Sequence, residues 1–145
     1  MGYFISTHND PNYRDESLIG SFDLSDIIEE GSVGQTNVPK IGKVQIYVYG
    51  GEGTIPHFHI LTQNHEFETC LCIYEPKYFI HGSKTGRFNK KQLEQINNYL
   101  KSKHPVLDIT IWQMIAVTFD NNNSTSFAYK GMKQPDYTKT IESIH

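Results

Sequence analysis

Between Lys43 and His81 hydrophobic positions alternate with polar ones, and after Asn89 they recur at three- and four-residue intervals. The first spacing belongs to strands with two unlike faces, the second to helices with one apolar stripe. Val44-Gln45-Ile46-Tyr47-Val48-Tyr49 is a β-branched and aromatic strand, broken by Gly50-Gly51-Glu52-Gly53. His57-Phe58-His59-Ile60-Leu61 follows as a second strand, with Pro56 at its start, where no ladder bond is lost. A turn at Gln63-Asn64 leads into a third strand over residues 66–73, and Lys77-Tyr78-Phe79-Ile80-His81 is a fourth, closed by Gly82.

A helix is predicted from Asn89, with Gln92 completing a capping box and Leu93, Ile96 and Leu100 forming its buried stripe. Pro105 ends it. Thr110 and Gln113 repeat the capping box ahead of a segment whose Ile111, Val117 and Thr118 also suit a strand; it is read as a buried helix, stopped by Asn121-Asn122-Asn123. Residues 6–42 lack periodicity apart from a short amphipathic patch at Leu24-Ser25-Asp26-Ile27-Ile28, a helical turn that Ser25 would cap. The expectation is an α+β protein: a small antiparallel sheet of about four strands packed with two C-terminal helices, behind an extended N-terminal arm. An arm over 1–42, a compact domain over 43–123 and a polar tail over 124–145 are the expected divisions.

Composition adds little to this and removes several classes. Nine Tyr and eight Phe in 145 residues favour a sheet-rich domain. No apolar run approaches the roughly 20 residues that span a bilayer, and the first residues lack the basic flank and long apolar stretch of a secretory signal. Cys70 and Cys72, one residue apart on a strand, are poorly placed for a disulfide with each other. A cytoplasmic protein with reduced thiols is expected. The net charge of −3 argues against a general nucleic-acid binder. The charges are nevertheless segregated: Asp10, Asp15, Glu16, Asp23, Asp26, Glu29 and Glu30 lie early, whereas Lys77, Lys84, Arg87, Lys90, Lys91, Lys101 and Lys103 lie later. Either a phosphate-facing surface or an acidic arm lying over a basic face accounts for that pattern, as does plain solvation.

Candidate chemistry concentrates in the hairpin of the second and third strands. Parity places Phe58 and Ile60 on one face with Phe67, Leu71 and Ile73, and His57 and His59 on the other with Glu66, Glu68, Cys70 and Cys72. With the turn centred on Gln63-Asn64, His59 lies across from Glu68 and His57 across from Cys70. Three uses of this face compete. His57 and His59, with Cys70 or Glu68 completing the set, are a metal-ligand set for a divalent ion such as zinc. His57 and His59, with Glu68 orienting an imidazole, are an acid–base set for a phosphodiester, and Cys70 is a nucleophile for His57 to activate. The bland use is structural, with the histidines hydrogen-bonded under a helix or the arm.

The run Ile46-Tyr47-Val48-Tyr49, the core Pro56-His57-Phe58-His59-Ile60, the acidic strand after it and the helix from Trp112 to Asn123 together resemble an uncharacterised bacterial and phage family with a Pro-His-Phe-His core. The resemblance covers residues 43–123. Ile55 stands where such proteins often carry a second Pro, and Phe119 where a Trp is expected. What the resemblance implies is a compact α+β domain, sometimes encoded beside a small partner in the manner of toxin–antitoxin pairs. Two functions are therefore expected to compete. One is an interaction or regulatory module with a protein partner. The other is a His-dependent nuclease or phosphodiesterase, using His57 and His59 for chemistry and Lys84, Arg87, Lys90 and Lys91 to hold the phosphates of a nucleic acid or other ligand.

Overall fold

Alternation of Val44, Ile46 and Val48 with Gln45, Tyr47 and Tyr49 makes a strand with two usable faces, and the sheet is built outward from it. The computed structural model describes residues 16–24, 41–51, 55–79 and 86–144. Its strands are β1 (Glu16–Asp23), β2 (Lys43–Tyr49), β3 (His57–Thr62), β4 (Glu68–Cys72), β5 (Lys77–Phe79) and β6 (Ile141–Ile144), and they lie side by side in chain order. The first five are antiparallel, and β6 joins β5 in parallel. Two helices, α1 (Lys90–Lys101) and α2 (Ile111–Asn123), complete an α+β architecture.

Both helices start as expected. Asn89 and Gln92 cap α1 reciprocally, at 2.7 and 2.9 Å, and Thr110 and Gln113 do the same for α2, at 3.1 and 2.8 Å. Leu93, Ile96 and Leu100 from α1, and Ile111, Trp112, Ile115 and Phe119 from α2, are buried in one cluster with Val44, Ile46, Val48, Phe58, Ile60, Leu71 and Ile73. The helices thus cover the sheet face to which parity assigned the aliphatic residues. The Trp112 Nε1–H donates to the Ile73 carbonyl at 2.9 Å, fixing α2 against the end of β4. Among the described residues no helix is long and apolar enough to cross a membrane.

Three differences from the sequence expectations change the picture. The hairpin register is displaced by two residues: His59 pairs with Cys70, His57 with Cys72, and Leu61 with Glu68. The cause is a longer turn. Thr62 accepts from the Phe67 N–H through its side chain at 3.1 Å, Asn64 Oδ1 accepts from the Glu66 N–H, and His65 takes a left-handed φ of 62°. A shift of two keeps every side chain on its predicted face. Secondly, residues 16–23 within the expected arm form β1, with a bulge between Leu18 and Gly20, and the buried Leu24 bonds through its N–H to the Gly42 carbonyl. The helical turn expected at residues 24–28 lies outside the described residues beyond Leu24.

Thirdly, the expected polar tail is packed. Asp120 on α2 is buried and accepts from Thr125 Oγ1 and the N–H groups of Phe127 and Ala128, which starts a short 3-10 helix, Phe127–Lys130. Further on, Tyr137 is fully buried, and its hydroxyl donates to the Cys72 carbonyl at 2.6 Å and lies 3.0 Å from that of Ile73. Burial holds that phenol well above its ordinary pKa, so it stays a donor.

Candidate metal centre

Because β3 is an inner strand, both of its faces are available for burial, and all of His57–Leu61 is buried. One face carries Phe58 and Ile60 under the helices. The other carries His57, His59 and Leu61 beside Cys70 and Cys72 of β4, and the alternation of β2 and β5 brings Tyr47, Tyr49 and Phe79 to the same side. His59 lies against the Tyr49 ring at 4.4 Å, and His57 stacks on Phe79 at 4.1 Å. The two imidazole centroids are 5.4 Å apart.

Within this aromatic frame, one ligating atom from each of His57, His59 and Cys70 can be chosen so that all three lie within 4.8 Å of one another. These residues are 1%, 2% and 2% exposed. The imidazoles are also oriented. His57 Nδ1 is 2.7 Å from the Ile55 carbonyl, which can only accept, so Nδ1 carries the hydrogen and Nε2 the lone pair. His59 Nδ1 is 3.1 Å from the Glu68 carboxylate, which imposes the same tautomer. A ring nitrogen tied to a carbonyl or a carboxylate is the usual support of a metal-binding histidine.

The thiols differ in their surroundings. Cys70 Sγ is 3.3 Å from His59 Nδ1, whereas burial, followed by the charge of Glu75, pushes the Cys72 thiol up to about 11. Both cysteines are free of disulfides. Cys70 pairs with His59 and contacts its Nδ1, where the expected register set it opposite His57. Glu68 and Cys70 moreover approach the same nitrogen of His59. A relay from carboxylate through imidazole to thiol needs them on opposite nitrogens. Two imidazoles and a thiolate are instead a donor set for a borderline-soft ion such as zinc.

Of the residues expected at a site, His57, His59, Cys70 and Glu68 are brought together. Arg87, Lys90 and Lys91 are exposed on the helix side of the sheet; Arg87 lies over the Tyr78 ring at 4.6 Å, and Lys90 and Lys91 open α1. Lys84 lies outside the described residues. The Ile55 carbonyl, Tyr49 and Phe79 were missed. Period-two reading of β2 and β5 finds the two rings, but no side-chain pattern marks a backbone acceptor. Compared with family models, curated proteins and solved structures, the chain matches none.

Proposed function

We propose that this chain is a small metal-holding regulatory module in which His57, His59 and Cys70 bind a zinc-class ion on the second face of the sheet. The observation that carries this reading is that one donor atom from each of three buried side chains lies within 4.8 Å of the others. Ligands no more than 2% exposed suit an ion that fixes a surface better than one that must admit a polymeric substrate. A protein partner, in the manner of a toxin–antitoxin-like or phage–host pair, is the role that the family resemblance suggests for such a surface. The nuclease alternative has less support, because Arg87, Lys90 and Lys91 lie across the sheet from the histidines.

Metal analysis of the purified chain and titration of the metal-free chain with Co2+ test this. One equivalent is expected, with a thiolate-to-cobalt charge-transfer band that Cys70→Ser abolishes and a stoichiometry that His57→Ala or His59→Ala abolishes. Failure of the unsubstituted protein to bind zinc or cobalt would sink the proposal. Ribonuclease activity lost in both histidine variants would restore the catalytic alternative.

A further inference from the structure

Among the described residues five large hydrophobic side chains are open to solvent: Leu18, Val106, Leu107, Val117 and Met132. Leu18 is on the edge strand β1. The other four gather on the helix side, around one recess. Val117 and Met132 line it together with Ile109, Trp112, Ala116 and Ala128, and it measures about 400 Å3. A neighbouring recess of about 260 Å3 shares Trp112, Gln113 and Met132 and reaches Lys101 and Lys133. Apolar side chains exposed together, with a polar rim, mark a surface that another molecule covers.

Val106 and Leu107 are the tip of the loop between α1 and α2, and Val106 is 84% exposed. The loop is not slack. The Ile111 N–H donates to the Ser102 carbonyl at 2.9 Å and the His104 N–H to the Ile109 carbonyl at 2.8 Å, which makes a short ribbon. His104 Nδ1 accepts from the N–H groups of both Val106 and Leu107, at 3.1 and 3.2 Å. Lys103 Nζ lies 2.7 Å from the Asp108 carboxylate across the same loop. This latch holds an apolar tip out in water and keeps it from folding into the recess beside it. A loop that only joins two helices is ordinarily polar at its tip.

We propose that this helix face pairs with a second copy of the chain, each copy seating its Val106-Leu107 tip in the recess of the other. Tip and recess adjoin on one surface, so a single two-fold axis makes both contacts at once. The chemical order matches as well. Along the tip, apolar Val106 and Leu107 are followed by Asp108, whose side chain is almost wholly exposed. Along the recess, the apolar wall of Trp112 and Met132 is followed by Lys101 and Lys133. Asp136, an acid near Lys101, is engaged with the Thr138 N–H and hydroxyl. The pair of Asp108 with Lys103 is exposed and weak enough to be exchanged for the lysines of the other copy. Because the latch already orders the tip, little conformational freedom is lost on docking.

Sedimentation velocity of the full chain, from about 5 to 500 µM, is expected to show a concentration-dependent dimer with a dissociation constant of about 1–100 µM, the weak end of specific interfaces. Val106→Asp changes an exposed side chain, so it should keep the thermal midpoint and yet stay monomeric throughout. Asp108→Lys and Lys101→Glu/Lys133→Glu should each weaken the dimer at least about tenfold, since each sets like charges against one another at both contacts. Mixed in equal amounts, those two variants should recover the dimer, because every tip then meets a recess of opposite charge. No recovery in the mixture, or a dimer undiminished in Val106→Asp, would overturn the proposal. So would a chain that stays monomeric at about 500 µM, even one whose tip binds another protein or an anionic vesicle. A chelator should leave the dimer intact, which separates this surface from the metal centre. Dissociation by the chelator would place the interface on the histidine face and overturn the proposal as well.

Discussion

The two faces of the β3–β4 hairpin are both largely buried and chemically opposite. Under the helices, Phe58, Ile60 and Leu71 make non-directional contacts and no side-chain hydrogen bonds. On the other face, His57, His59, Cys70 and Glu68 are tied to fixed partners at 2.7–3.3 Å. Burying an imidazole costs free energy unless it is bonded, and even a bonded one contributes less than an aliphatic residue of similar size. Packing alone would place aliphatic residues on both faces. The first face therefore accounts for stability, and the second requires a reason beyond it, which the ion proposed at His57, His59 and Cys70 would supply.

The sharpest way to break this contrast is to empty the helix face. Phe58→Ala removes a side chain with no exposure from the middle of the cluster and is expected to cost about 3–5 kcal/mol in urea denaturation of the metal-free protein. The fraction that remains folded should still take up one equivalent of zinc. A loss below about 1 kcal/mol would mean that the helices do not carry the fold.

A smaller effect is expected on the other face, and of another kind. Glu68→Gln keeps the shape of the side chain and removes the charge that holds the Nδ1 hydrogen of His59. Zinc affinity, measured by competition with a chelator of known strength, should fall about 10–100-fold, the usual cost of losing a partner behind a metal ligand. The metal-free stability should change by less than about 1 kcal/mol, because this hydrogen bond reaches solvent through a carboxylate that is 23% exposed. Equal losses in both measurements would make Glu68 a structural residue and weaken the distinction between the faces.

The two faces were also unequally legible. Which residues share a face follows from period two, and a slip of two in the register does not alter it. Which residues lie opposite depends on the turn, and there Thr62 Oγ1, Asn64 Oδ1 and the left-handed His65 decide the loop length through bonds that no hydrophobic pattern encodes. The helices were legible because capping boxes are local: Asn89 with Gln92, Thr110 with Gln113. β1 was not, since Ser17, Gly20 and Ser21 have little strand propensity and their order comes from pairing with β2, more than twenty residues away. Tyr137 was missed for a related reason. A single aromatic in a polar stretch gives no periodicity, and its place in the core rests on carbonyls at the end of β4.

The finest division lies within the second face itself, between two cysteines two residues apart. Cys70 is beside His59 in the three-residue cluster, while Cys72 lies across from His57, 3% exposed, with its thiol pushed up to about 11. Outside the three-residue donor cluster, Cys72 packs as a small hydrophobe. Cys72→Ala should therefore cost only about 1 kcal/mol, close to the burial of one small apolar group, and leave the zinc stoichiometry and the cobalt charge-transfer band as they were. Cys70→Ser should do the reverse, abolishing the band while moving the metal-free midpoint little. If the band instead weakens in Cys72→Ala, both sulfurs ligate the ion, and the divide between packing and chemistry runs between the faces alone, not through the second one.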